Sequence, residues 1–169
     1  FASYVWQFWF VQVRAGLGVL AARDSSSGAD GEVSTSNSGS LTGRMTVSVF
    51  PQSRFPFELR ADVSDSRTRG DTLGNDYRSS RVSLSQGWRP EVGNDSVQFN
   101  LDHSRLESQV GGTDTLTAVT ALALRQFDDQ SLEFNATWSE NERLETGDRN
   151  TLAALNARHA LSSAAARDA

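Results

Sequence analysis

The chain contains no cysteine, no lysine and no apolar run long enough to cross a bilayer as a helix. Without cysteine there is neither a disulfide framework nor a thiolate metal site. Without about 18 consecutive apolar residues there is no transmembrane helix. That exclusion does not reach a β-barrel, in which only every second residue of each strand meets lipid. Apolar residues make up 37% of the 169, little for a water-soluble core. The formal net charge of −5 argues against nucleic acid as the main partner, because phosphate binding needs a basic surface. The length suits one domain spanning 1–169. The chain opens at Phe1 with no basic segment leading into an apolar one, so the expectation is a mature form or a piece of something longer.

What is present is alternation with a period of two, repeated about eight times, the pattern of strands with one apolar face. From Trp9 the odd positions read Val11, Val13, Ala15, Leu17, Val19 and Ala21, against Gln12, Arg14, Gly16 and Gly18. Leu41, Met45, Val47 and Val49 then alternate with Thr42, Arg44, Thr46 and Ser48. Phe57, Leu59, Ala61 and Val63 alternate with Glu58, Arg60, Asp62 and Ser64. Val82, Leu84 and Trp88 face away from Arg81, Ser83, Ser85 and Gly87, and Val97, Phe99 and Leu101 from Gln98, Asn100 and Asp102. A sixth strand near 115–126 is Ala-rich, and its outward set is read as Leu116, Ala118, Leu122 and Leu124. Leu132, Phe134, Ala136 and Trp138 oppose Glu133, Asn135, Thr137 and Ser139. A weaker eighth strand near 151–162 sets Ala153, Leu155 and Ala157 against Ala154, Asn156 and Arg158.

Polar stretches near 24–40, 65–78, 103–114 and 140–150 read as long loops. Between them sit short turns at Pro51 to Arg54, Pro90 to Asp95 and Asp128 to Gln130. Long alternating with short is the plan of outer-membrane barrels, with short periplasmic turns and long extracellular loops, and it puts both chain ends on the periplasmic side. Mapped onto that path, ten of the fifteen aromatics fall at the short-turn end. The expected interfacial girdle there comprises Trp6, Trp9, Phe50, Phe55, Phe57, Trp88 and Phe127. Trp138 alone clearly marks the opposite rim.

A soluble sandwich also alternates. Its strands, however, are usually five or six residues long, whereas the first alternation here exceeds a dozen. Its solvated faces are usually rich in lysine, which is absent. A β-helix needs a short fixed repeat, and none is found. On these patterns the chain resembles Gram-negative outer-membrane β-barrel proteins over essentially its whole length. The resemblance is to the class, without a family motif, so no family site is carried over. It implies an all-β, antiparallel up-and-down transmembrane β-barrel of about eight strands. Such proteins commonly end on an aromatic residue, whereas this chain ends Ala164-Ala165-Ala166-Arg167-Asp168-Ala169. With the weak eighth strand, that departure favours an arc of a larger barrel over a closed eight-stranded one.

Little chemistry is legible. His103 lies between Asp102 and Ser104, but adjacent strand residues point to opposite faces, so the three do not form a catalytic triad. His159 is remote in sequence. Asp24, Asp30, Glu32, Asp71 and Asp76 are oxygen donors without calcium-loop spacing. No catalytic residue, metal site or cofactor is therefore expected. The inward face is more informative: Arg14, Arg44, Glu58, Arg60, Asp62, Arg81, Asp102 and Glu133 are expected to line the interior. Mixed signs leave ion selectivity open. The expected function is part of a pore, a secretion conduit or a sleeve around a partner protein in the bacterial outer membrane. The alternatives are a small anchor or adhesin with binding loops, and an enzyme with a rim active site. The expected partners are outer-membrane lipid and a protein inside or beside the barrel.

Overall fold

The computed structural model describes residues 2–5, 10–27, 33–70, 76–109, 111–127 and 130–161. They form nine strands: β1 (Ala2–Val5), β2 (Val11–Ser27), β3 (Val33–Val49), β4 (Phe57–Gly70), β5 (Tyr77–Trp88), β6 (Ser96–Ser108), β7 (Gly112–Gln126), β8 (Gln130–Arg143) and β9 (Asp148–Leu161). One antiparallel sheet holds them in sequence order, each strand bonded to the next. The eight long strands coincide with the eight alternating stretches. Four-residue β1, which pairs with Val11–Arg14 of β2, has no counterpart in the alternation.

The register explains why alternation and fold agree. Paired residues share a face, so a one-residue slip would turn a whole strand over. One row across the sheet runs Val13, Val47, Leu59, Leu84, Leu101, Val119, Trp138 and Ala153. On the other face a row runs Gly16, Arg44, Asp62, Arg81, Ser104, Leu116, Asn141 and Asn150. The apolar belt extends from Phe57 to Val63 in β4 and from Leu132 to Trp138 in β8, roughly 20–25 Å of strand at about 3.3 Å per residue. Past it, towards the 71–76 and 109–111 connections, the same face turns charged, with Asp65, Arg78 and Glu107 in one row.

Three expectations are corrected. First, β7 faces the other way. Val119, Ala121 and Ala123 pair with Leu101, Phe99 and Val97 on the apolar face. Leu116, Ala118, Leu122 and Leu124 pair with Ser104, Asp102, Gln98 and Ser96 on the polar one. Both phases of this stretch are apolar, so alternation alone carries no facing signal. Second, the expected long loops are mostly strand. Only 28–32, 71–76, 109–111 and 144–147 lie between strands at that end, against 50–56, 89–95 and 127–129 at the other. Backbone ladders continue through Ser and Thr as readily as through Val, as in the Ser25 to Thr35 pairing.

Third, the sheet is open among the described residues: β9 pairs only with β8. Closing the eight long strands into a barrel requires β9 to pair with β2, whose Val11–Arg14 edge β1 already occupies. From Gly16 onward no described strand pairs with that edge of β2. No hydrophobic side chain is buried among the described residues, and Leu17 and Leu155 are 88% and 76% exposed. The apolar face therefore has no partner layer within the sheet.

Candidate functional site

The polar face carries the candidate site. Its residues from β2 through β8, among them Gly16, Arg44, Asp62, Arg81, Ser104 and Asn141, line an open trough of about 980 Å³. Seven strands contribute to the trough, which lies on the side of the sheet carrying these polar residues, and that side is the concave one. All eight residues expected to line the interior share it by register.

Seven of the eight sit together across β2 to β6. Arg44 donates through Nε to Asp62. Arg81 donates through Nε and Nη2 to Asp102 Oδ1, at 3.1 and 2.7 Å, and Ser83 donates to the same oxygen. Arg60 pairs with Glu58 at 3.4 Å, and the Ser48 hydroxyl donates to the other Glu58 oxygen at 3.3 Å. Arg14 donates to Gln12 at 3.2 Å and meets no carboxylate among the described residues. This lattice sits over the only two buried residues among those described, Thr46 and Ser48. Its arginine side chains are more than half exposed, so solvent screens each pair and the pairs add little to stability. What the lattice fixes is the position of the guanidinium groups along the wall. Glu133 stands apart, between Leu124 and Arg158, without an ion pair to Arg158.

The expected girdle divides. Trp6 and Trp9 lie outside the described residues. Phe57 and Trp88 occupy the apolar face next to their turns. Phe50, Phe55 and Phe127 are exposed at the same end. Phe50 meets Phe10 edge to face, centroids 4.7 Å apart, and accepts a positive φ of 49° in that contact. The Arg125 guanidinium lies 4.9 Å over the Phe127 ring, a cation–π contact. Phe99 and Phe134, omitted from the expected girdle, also sit on the apolar face near this end. Trp138 is the last apolar residue of its strand on that face before Glu140.

His103 lies on the apolar face with its Nδ1 2.9 Å from the Thr117 hydroxyl, away from Asp102 and Ser104. His159 lies 3.2 Å from Gln130. No cluster of three metal-ligating side chains occurs among the described residues.

The connections at the charged end are stitched to one another. Asp76 accepts from the Thr68 amide and from the Gln109 side chain. Glu145 accepts from the Thr113 amide at 2.6 Å, beside Gly112, whose φ of 80° disfavours any side chain there. The Thr113 amide bond holds the Glu145 carboxyl below the ordinary glutamate range. A depressed carboxylate contributes stability above its unfolded pKa and loses it as pH falls through the folded one. Exchange of the Thr113 amide, corrected for intrinsic rate, is expected to stay slow at neutral pH and to quicken only once pH falls below the ordinary glutamate range. Glu145→Gln is expected to abolish that step; an unchanged profile in the variant would refute the assignment.

Comparison of the chain with protein-family models, with curated proteins and with solved structures gave no match.

Proposed function

We propose that this chain is a membrane-embedded arc of an outer-membrane β-barrel, its concave polar face lining a water-filled lumen that serves as a pore, a secretion conduit or a sleeve around a partner. The observation that carries the reading is the two-sided sheet without an interior: an unpartnered apolar belt on one face and an ion-pair lattice on the other. Lipid solvates the first and lumen water the second, which is the division of labour of a barrel wall. The charged outer face beyond the belt then stands clear of the hydrocarbon. The aromatic end marks the other interface.

Among the described residues the edges of β2 from Gly16 and of β9 carry no neighbouring strand, which favours an arc over a closed eight-stranded anchor. Backbone amides left unpaired in hydrocarbon cost several kcal/mol each, so further strands must flank this sheet in the bilayer.

The reading is tested in phosphatidylcholine vesicles with brominated acyl chains. Trp88 and Trp138, on the apolar face, are expected to be strongly quenched, and planar bilayers containing the protein to show discrete conductance steps. A monomer that stays dispersed without detergent and shows no quenching would overturn the membrane reading. Quenching without conductance would leave the sleeve and remove the open pore.

A further inference from the structure

We infer that the polar face carries an electropositive band across β2 to β5, at which small dissolved anions (carboxylates, phosphates, sulfates) collect and from which cations are turned away. The inference rests on the lumen reading in one respect, that this face meets water.

The sequence mixes the signs along each strand, and the register sorts them. In one polar row Arg14, Thr46, Arg60, Ser83 and Asp102 lie side by side; in the next, Gly16, Arg44, Asp62, Arg81 and Ser104. Each of the four strands from β2 to β5 thus contributes one arginine. Onward to β9 the same rows hold Ala118, Ser139 and Leu152, then Leu116, Asn141 and Asn150, with no charged residue. Four cations therefore stand against two carboxylates. Glu58, one polar position nearer the 50–56 turn, leaves the balance positive. Adjacent strands lie about 4.8 Å apart and the two rows roughly 7 Å, within the ~8–10 Å reach of a charge at physiological salt. Neighbouring guanidiniums therefore reinforce one another.

Pairing decides which sign meets the water. Asp62 is taken by Arg44, Asp102 by Arg81 and Ser83, and Glu58 by Arg60 and Ser48. An aspartate is shorter than the arginine that caps it, so the carboxylate sits against the sheet and the guanidinium stands off it. The Arg44 and Arg81 side chains are 74% and 59% exposed, their partners Asp62 and Asp102 only 28% and 33%. Arg14 is exposed and meets no carboxylate among the described residues.

A cation approaching this wall finds its carboxylates already capped. An anion finds guanidinium edges with donors to spare, which hold oxyanions by charge-assisted hydrogen bonds. A surface whose outermost charges share one sign concentrates ions of the other.

The chain has no cysteine, so a single introduced thiol reports the local potential. Ser64→Cys places one in the trough, between Thr42 and Ser79 and one polar position from the row of Arg44 and Arg81. Ser139→Cys places another on the same face, three strands beyond β5 and roughly 14 Å from it. In phosphatidylcholine vesicles each is modified by methanethiosulfonates bearing a sulfonate or a trimethylammonium group, with rates referred to a free thiol in the same buffer. The sulfonate-to-ammonium rate ratio is expected to be roughly fivefold or more higher at Ser64→Cys than at Ser139→Cys, and to converge at about 1 M salt. Arg44→Gln is expected to lower the ratio at Ser64→Cys about threefold. Arg44→Lys is expected to preserve it, which separates charge from packing. Should Arg44→Gln not insert, Arg81→Gln carries the same comparison. Equal ratios at the two thiols, or a ratio that loss of the arginine charge leaves untouched, would overturn the proposal. Quenching of Trp138 by brominated lipid keeps the two readings apart. Quenching without a rate difference retains the barrel wall and discards the band; a rate difference without quenching retains the band and discards the wall.

Discussion

Val119→Arg is expected to destabilise the reconstituted protein by about 2–4 kcal/mol, and Leu122→Arg by well under half of that. Val119 lies in the apolar row between Leu101 and Trp138, where, in the proposed barrel wall, a guanidinium would be driven into hydrocarbon. Leu122 lies on the polar face between Gln98 and Asn135, where, in the proposed barrel wall, a long cationic side chain would reach lumen water. Denaturant unfolding of the two variants in the same vesicles measures the difference. The contrast is diagnostic because alternation read from the residues alone predicts the reverse order. Reversed costs would mean that β7 is slipped by one residue. Equal and small costs would mean that neither face meets lipid.

Proline in β9 is the second large effect. Successive residues of a strand direct their amides to opposite sides, so one of Ala154 and Leu155 donates towards β8 and the other towards the bare edge. In an arc embedded in a larger barrel both amides are bonded, and Ala154→Pro and Leu155→Pro are each expected to cost several kcal/mol. Were β9 a true edge, one of the two would be tolerated, since edge strands accept proline on their unpaired side. Folding yield into vesicles and denaturant midpoints distinguish the cases. A single tolerated position would refute the flanking strands inferred from the sheet's open edge.

Most of the sheet was legible because its strands carry unlike faces. Where one phase is Val, Leu and Phe and the other Ser, Arg and Asp, as in β4 and β8, the residues themselves state both the strand and its facing. The eight residues expected to line an interior were chosen on that contrast, and the register places every one on the polar face of the sheet. Ion pairing was not legible, because it depends on which strands lie side by side: Arg44 meets Asp62, and Arg81 meets Asp102, across neighbouring strands. Nor was β1, whose four residues offer too few alternations to register.

The stretches read as loops show a further boundary. Ser34 to Ser40 carries no large apolar residue, yet it continues the ladder of β3 against β2. Polarity on both faces marks where a strand leaves the apolar belt; it does not mark where the strand ends, since backbone pairing is indifferent to side-chain polarity.

The sequence by itself determined the all-β class, the eight long strands, the two-faced wall and the aromatic end. All of these follow from the period-two geometry of a single chain segment. The tertiary structure alone decided the facing of β7, the pairing of the arginines and the open edges. Those depend on register and on which strand stands beside which, relations between segments that no one strand's residues encode.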